Sequence, residues 1–462
     1  MKDHIPYIAT TEADRSEMLA EIGVPEFDEL FESIPNHLRL ARDLVLSSPV
    51  EGMKLPLSEM ELRKYIGNLS ARNSHSCTYF LGAGCYHHYI PSIVDLFTGL
   101  PQFYTPYTPY KPETNQGTLQ VMYEYQTMMC RLTGLEVSNA SLYDGATAMV
   151  EAAKMAARLT GRTEIVISRA VHPEYRQVLD TFLRYGDWQI VEVDIQGGKT
   201  DMEELAQRVS DRTAAVIVQC PNFFGIMEDM ERVAHITHKN EALFIYLVVE
   251  ALFLALIQPA DLGADIVAGE AQSFGAHMSF GGPHLGFINC YGKHKSKLPG
   301  RIVTKTEDVE GRPAYMLWGA AREQHISRSR ATSNICTNHA LNALAASIYL
   351  SWYGSEGLQE LADIHNLQMA HYAYERIGRI PGYEPAFPGE EIFNEFTLTC
   401  PYEVAALNRK LLEHSIIGGL EVGRFYPEHE NKVLLCVTET TGKDDIDGLA
   451  DILEYLNEKG LT

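Results

Sequence analysis

EIVISRAVHPEYRQVLDTFLRYGDWQIVEVDI, running from Glu164 to Ile195, decides the fold. EIVIS is an apolar run of strand length, HPEYRQVLDTFLRYG reads as a helix ending at Gly186, and WQIVEVDI is again extended. The alternation continues on both sides. Before it, Asp144-Gly145 opens an alanine-rich helix, ATAMVEAAKMAARLT. After it come helix DMEELAQRV, strand AAVIVQC (214–220), helix DMERVAHITHKN and strand ALFIYLVV. Apolar runs separated by helices are the pattern of a parallel sheet covered on both faces. Right-handed crossovers make such a sheet doubly wound.

Residues 1–70 read differently, as short acidic helices in EADRSEMLAEIG, FDELFESI and SEMELRKYIG, each stopped at Gly or Pro. Helices this short are marginal alone, so an amino-terminal extension that packs on something is expected. Residues 71–340 form the expected large domain; within it Leu119, Met122, Tyr123, Met129 and Leu132 recur at helical spacing up to Gly134. The apolar helix NALAASIYLSWYG then leads into a small α/β carboxy-terminal domain, 341–462. That domain reads as helix 357–378, strand FNEFTLTC, helix YEVAALNRKLLEHS, strand KVLLCVTE and helix DDIDGLADILEYLNEK.

Composition narrows the function. At 462 residues, 45% hydrophobic and 21% charged, the chain is ordinary for a globular protein of two domains or more. A formal net charge of −23 argues against nucleic acid and against an anionic membrane surface as partners. No apolar stretch has membrane-spanning length, and the amino terminus has no signal-peptide core. Eight scattered cysteines without a C-x-x-C pair suit neither a zinc site nor a disulfide framework, so reduced thiols and a cytoplasmic location are expected.

A helical arm, a large parallel-sheet domain and a small α/β domain match the fold-type I architecture of pyridoxal phosphate (PLP) enzymes, the aminotransferase-like fold. Alone this analogy says little about function. ADIVAGEAQSFGAHMSFGGPHLGF (264–287) sharpens the question. A strand leads into a polar Gly/Ser-rich turn where such enzymes commonly keep their Schiff-base lysine. Here the turn carries Gln272 and Ser273, and no lysine stands between Lys239 and Lys293. A serine hydroxyl cannot form an imine with an aldehyde; an amine can. Lys293 and Lys295 begin a polar, surface-like run, YGKHKSK, ill-suited to orienting a cofactor held by several groups at once.

Other candidates divide between chemistry and structure. Glu250, at the end of ALFIYLVV, could imitate the acid that PLP enzymes set against the pyridine nitrogen; a capping or packing role competes. Asp144 opens a helix whose amino terminus could cradle a phosphate, but its own carboxylate would satisfy the free amides, so a structural cap is expected. In YTPYTPYKP, prolines at 106, 109 and 112 favour extended chain. A polyproline II segment would align Tyr104, Tyr107 and Tyr110 on one face, as a stiff ridge that either packs on its own domain or reaches into a neighbouring subunit. Glu113, Asn115 and Gln116 continue the same loop. Arg322, Arg328 and Arg330 around His325 suit a carboxylate or phosphate, although a solvated face is the commoner reading. His87-His88, without a regularly spaced carboxylate or thiol, reads as packed or hydrogen-bonded histidine rather than a metal site.

FLGAGCYHHYIPSIVD (80–95), FYTPYTPYKPETNQGTLQ (103–120), TGLEVSNASLYDGATAMVEAA (133–153) and CPNFFGIMED (220–229) add a further layer. With SFGGPHLGF (279–287), REQHISRSRATSNICTNHAL (322–341) and LLCVTE (434–439), they resemble the P-proteins of the glycine cleavage system. The likeness is to the first-subunit branch of the two-chain glycine decarboxylases and covers nearly the whole chain. It implies that a related second subunit carries the lysine and PLP, that this chain binds no cofactor and supplies no catalytic residue, and that Ser273 stands about where the amine would be. It implies further that the complex, a heterodimer or an α2β2 assembly, decarboxylates glycine and passes the aminomethyl group to the lipoyl arm of H-protein. Tyr104, Tyr107, Tyr110, Glu113, Asn115 and Gln116 would then contribute to a shared site or interface. Two rivals remain: a stand-alone PLP-dependent amino-acid lyase using an unrecognised lysine, and a non-catalytic glycine-sensing module.

Overall fold

The computed structural model describes residues 9–40, 42, 57–74, 76–106, 109–319 and 322–461. Met1–His75 and Ser76–Thr462 are two compact units. In the second, seven strands form the central sheet. They are β1 (Val137–Ser138), β2 (Glu164–Ser168), β3 (Gln189–Val193), β4 (Thr213–Gln219), β5 (Leu243–Val248), β6 (Ile266–Glu270) and β7 (Gly286–Cys290). Their spatial order is β1-β7-β6-β5-β4-β2-β3. Strands β3, β2, β4, β5 and β6 run parallel, while β7 pairs antiparallel with both β6 and β1. The EIVIS stretch pairs in register with the strand that follows it, Glu164 opposite Gln189 through Ser168 opposite Val193, with a helix making the crossover.

Helices cover both faces, as the apolar runs require. They include α1 (Gln116–Thr133), α2 (Gly145–Thr160), α3 (Pro173–Leu183), α4 (Met202–Arg208), α5 (Met230–Lys239) and α6 (Ala340–Glu360). Because side chains alternate along a strand, Ala215 and Ile217 of β4 pack with Ala152, Met155 and Leu179 of α2 and α3. Val216 and Val218 pack on the other face with Met129 of α1, Val233 of α5 and Ala346 of α6. Burying each such Val or Ile is worth roughly 1.5–3 kcal/mol, and β4 is buried along its whole length.

Beyond α6, strands β8 (Glu384–Pro385), β9 (Glu395–Thr399), β10 (Leu420–Glu421) and β11 (Lys432–Cys436) form an antiparallel sheet in the order β8-β9-β11-β10. Helices Val404–Glu413 and Lys443–Lys459 share its apolar core through Leu407, Leu411, Ile446 and Leu449. An isolated bridge between Ile226 and Ile392 links this region to the loop after β4.

Two elements depart from the sequence reading. FDELFESI is a short 3-10 helix, Phe27–Phe31, because Pro25 and Pro35 leave too few residues for the costly nucleus of an α-helix. The expected helix 357–378 is not uniform: a wide π turn spans Leu361–Gln368 and a regular helix resumes at Met369–Ile377, while Gly354, at φ +63°, breaks α6 where NALAASIYLSWYG was expected to end. No helix among the described residues is long and apolar enough to cross a membrane.

Candidate functional site

Ligands of open α/β sheets gather beyond the carboxyl ends of the parallel strands. A cavity of about 620 Å³ lies there, lined by Cys85, Asp144, His172, Tyr175, Glu270 and His284 among others. Glu270 ends β6, His172 follows β2, and Asp144 precedes α2, so the sheet itself converges these groups.

The residues present do not fit PLP. A phosphate would sit on the free amides at the start of α2, and those of Asp144, Gly145 and Thr147 are already taken. Asp144 Oδ1 accepts the Thr147 N–H at 2.7 Å, and Thr147 Oγ1 accepts the Asp144 N–H at 3.3 Å. Gly145 N–H donates to Glu270 Oε2 at 2.9 Å, and Leu285 N–H donates to Glu270 Oε1 at 2.8 Å. The contact is closed: a Cβ on Gly145 would lie 2.6 Å from the Tyr175 hydroxyl and 2.9 Å from the Glu270 backbone nitrogen. Burial, with the negative charges of Glu270 and Asp144, pushes the Tyr175 phenol well above its ordinary range, so it stays neutral. The capping role expected of Asp144 is what the geometry provides.

Among the described residues no lysine lines the cavity. Ser273 is buried, and among the described residues its hydroxyl has no hydrogen-bond partner. Its neighbour Gln272 is spent on the backbone: Oε1 accepts the Tyr86 N–H at 3.0 Å, while Nε2 donates to the Tyr86 carbonyl at 3.1 Å and to that of Ala276 at 2.6 Å. Lys293 is exposed and stands over the Tyr291 ring, and Lys295 stands over Trp318. Neither reaches the cavity.

Glu250 is a cap and an ion-pair partner. Its Oε1 accepts the Leu252 N–H at 2.9 Å, and Oε2 lies 3.0 Å from His88 Nε2. His88 Nδ1 lies 2.8 Å from Glu439 Oε2, and Tyr89 N–H donates to Glu439 Oε1 at 2.6 Å. Burial alone would push the His88 ring down, but Glu439 and Glu250 carry it up to about 10. Glu439, buried but paired with His88, is held down to about 2. Next to this triad, Glu395 accepts the Ala83 N–H at 2.6 Å and the Tyr86 hydroxyl at 2.8 Å; burial, then the charge of Glu250, lifts it to about 7. Histidine at 88 is thus a buried counter-ion between two carboxylates.

At its start the tyrosine segment is helical rather than extended. Tyr104 closes a helical turn, Pro101–Tyr104, in which the Leu100 carbonyl accepts the N–H of both Phe103 and Tyr104. Proline at the first position pre-sets helical φ, and that local bond prevails over the extended tendency of the downstream prolines. Tyr107 lies outside the described residues. Tyr110 is exposed, but its hydroxyl accepts from Arg301 Nη2 at 2.9 Å with the guanidinium 4.9 Å from its ring. Gln116 clamps a hairpin, accepting the Tyr315 N–H and donating to its carbonyl, both at 2.8 Å. Asn115 Nδ2 donates to the Lys111 carbonyl at 2.8 Å, whereas Glu113 and Tyr104 are exposed.

Of the arginines, Arg328 and Arg330 are exposed, and Arg322 donates to the Leu298 carbonyl and lies over Trp318. The buried cation of this region is Arg301, which sequence reading missed. It also donates to Asn338 Oδ1 at 3.1 Å and to the Cys336 carbonyl at 2.7 Å. Glu270 and Glu439 were missed too; a Glu directly ahead of the expected lysine turn was a legible signal for the first.

Sheet order, the position of the cavity and the small antiparallel domain define the architecture of fold-type I PLP enzymes. A solved sphingosine-1-phosphate lyase from Burkholderia pseudomallei shares it at a TM-score of 0.65 over 89% of this chain and 93% of that one, with 12% identity. The family model of the glycine cleavage system P-protein matches residues 5–453. A probable glycine dehydrogenase (decarboxylating) subunit 1 from Desulfitobacterium hafniense is 46% identical over 445 residues, covering 96% of this chain and 98% of its own. A Bacillus licheniformis relative of the same description is 46% identical over 454 residues, covering 98% and 99%. A crystal structure of glycine decarboxylase (P-protein) of the glycine cleavage system, in inhibitor-bound form, gives a TM-score of 0.87 at 39% identity over 97% of this chain and 99% of that one. The chain belongs to the glycine cleavage system P-protein family.

Proposed function

We propose that this chain is the cofactor-free first subunit of a glycine dehydrogenase (decarboxylating), and that a second subunit holds PLP. Together the two would decarboxylate glycine and deliver the aminomethyl group to the lipoyl arm of H-protein. The observation that carries this reading is the sealed site: Glu270 and Asp144 occupy the Gly145 and Thr147 amides at the start of α2, and Ser273 stands buried in the lysine turn. Such a chain contributes shape rather than chemistry. On this reading Tyr110 and Gln116 anchor the loop, the first on Arg301 and the second on the hairpin, with Asn115 bracing it. Tyr104, Glu113 and the neighbouring Tyr107 are then the groups offered to the partner, each truncation costing binding or turnover rather than fold.

The test is co-purification with the candidate second subunit followed by glycine-dependent bicarbonate exchange. The lone chain is expected to be colourless and inactive, and its addition to switch on exchange by the second subunit. A lone chain that is yellow and retains the cofactor after borohydride would refute the proposal, as would full activity of the second subunit alone.

A further inference from the structure

Two groups in the cavity, Cys85 and His284, take no part in sealing the cofactor site. Cys85 Sγ lies 3.7 Å from His284 Nε2, and His284 Nδ1 lies 3.6 Å from Glu270 Oε2. Thiol, imidazole and carboxylate thus stand in the order of a nucleophile, its base and the group that orients the base. Glu270 cannot drift, because the Gly145 and Leu285 N–H groups hold its two oxygens at 2.9 and 2.8 Å. Cys85 is partly exposed and lines the 620 Å³ cavity together with His284, so a small molecule can reach its sulfur. From the facing elements, Tyr143, Asp144, His172, Glu174, Tyr175 and His339 also line the cavity. The sulfur of Cys85 first, then Glu270, raise the His284 ring to about 10, so near neutral pH the ring already holds a proton beside the sulfur.

We propose that Cys85, His284 and Glu270 form a nucleophilic thiol centre, a modification site for small uncharged carbon electrophiles. In the reaction with a haloacetamide, Sγ attacks the methylene carbon, the C–S bond forms, and the halide leaves with the C–halogen electron pair. The proton rests on His284 Nε2 before the attack, and Glu270 offsets the charge of that ring. Asp144, Glu174 and Glu270 make the cavity acidic, so an anionic electrophile is repelled where a neutral one enters. The centre does not depend on the identity of the partner subunit.

Cys336 is the internal reference, an exposed cysteine of the same chain. The full-length chain is treated with substoichiometric iodoacetamide near neutral pH, and alkylation at each cysteine is read by peptide mass spectrometry. Cys85 is expected to react about ten times faster than Cys336 despite its lower exposure, a conservative figure for a sulfur paired with a cationic ring. Iodoacetate, differing only in its charge, should shift the ratio towards Cys336. His284→Gln should bring Cys85 to or below the rate of Cys336. The proposal is overturned if Cys336 outruns Cys85 in the unmodified chain, or if His284→Gln leaves the Cys85 rate unchanged. Should that variant not fold, the pH–rate profile of Cys85 in the unmodified chain decides. A profile parallel to that of Cys336 overturns the centre, and one displaced to lower pH supports it.

Discussion

Replacing His88 by leucine should remove the one cation between Glu250 and Glu439 while nearly conserving volume. In the native chain the ring nitrogens lie 3.0 and 2.8 Å from those carboxylates, and all three side chains are almost wholly buried. Breaking a buried ion pair by deleting one partner typically costs roughly 3–5 kcal/mol, because the remaining charge is left without compensation. At about 2 °C per kcal/mol for a chain of this size, the melting temperature should fall by roughly 6–10 °C. The pH dependence follows from the two shifts. His88 rises from 6.5 to about 10 on folding, so its stabilisation is complete below pH 6.5 and is lost as pH climbs through 10. Glu439 falls from 4.5 to about 2, so its share is complete above pH 4.5 and is lost as pH drops through 2. The difference between native and variant should therefore peak at pH 4.5–6.5 and narrow towards pH 10. Urea unfolding across this range measures it. A gap under about 1 kcal/mol near pH 6, or one that widens from pH 6 to 10, would refute the assignment of His88 as a buried cation.

Ser273→Lys should not create a cofactor site: borohydride treatment with PLP should leave position 273 unlabelled, and overpacking should cost about 1–3 kcal/mol in a melt. Gly145→Ala, whose new methyl would meet the Tyr175 hydroxyl at 2.6 Å, should destabilise by a similar 1–3 kcal/mol, seen as a lower urea midpoint at unchanged slope. Arg301→Met removes donors to Tyr110, Asn338 and Cys336 and should cost about 3 kcal/mol, with faster proteolysis near Tyr110. The exposed Arg328→Met should stay within about 0.5 kcal/mol of the native chain in the same assays.

What was legible in the sequence was what depends on local pattern. The strand–helix alternation around Glu164 to Ile195 yields the parallel sheet because apolar runs buried on two faces have few other uses. Asp144 could be read as a cap because capping is decided within three residues, and Thr147 lies within that span. Position 273 could be read as lacking an amine because side-chain identity suffices. Long-range pairings were not legible. Glu270 meets Gly145 across 125 positions, His88 meets Glu439 across 351, and Arg301 meets Tyr110 across 191. The tyrosine segment failed in the opposite way: three prolines imply extended chain, but Pro101 starts a helical turn that takes Tyr104 out of the line.

Loss of the lysine is not by itself what closes this site. A chain lacking the amine could still hold PLP by its phosphate, since a free helix amino terminus favours an anion by about 0.3–2 kcal/mol. Here the start of α2 already faces two carboxylates, Asp144 on the Thr147 N–H and Glu270 on the Gly145 N–H. A phosphate charge about 4 Å from each would meet repulsion of about 4 kcal/mol per pair at an effective dielectric of 20. That repulsion exceeds what the helix end returns, before any cost of breaking the two existing hydrogen bonds. On the proposed reading the glutamate is therefore a stronger bar to the cofactor than the serine. Restoring an amine at position 273 leaves that barrier untouched, so a cofactor seat would require opening the Glu270–Gly145 contact first.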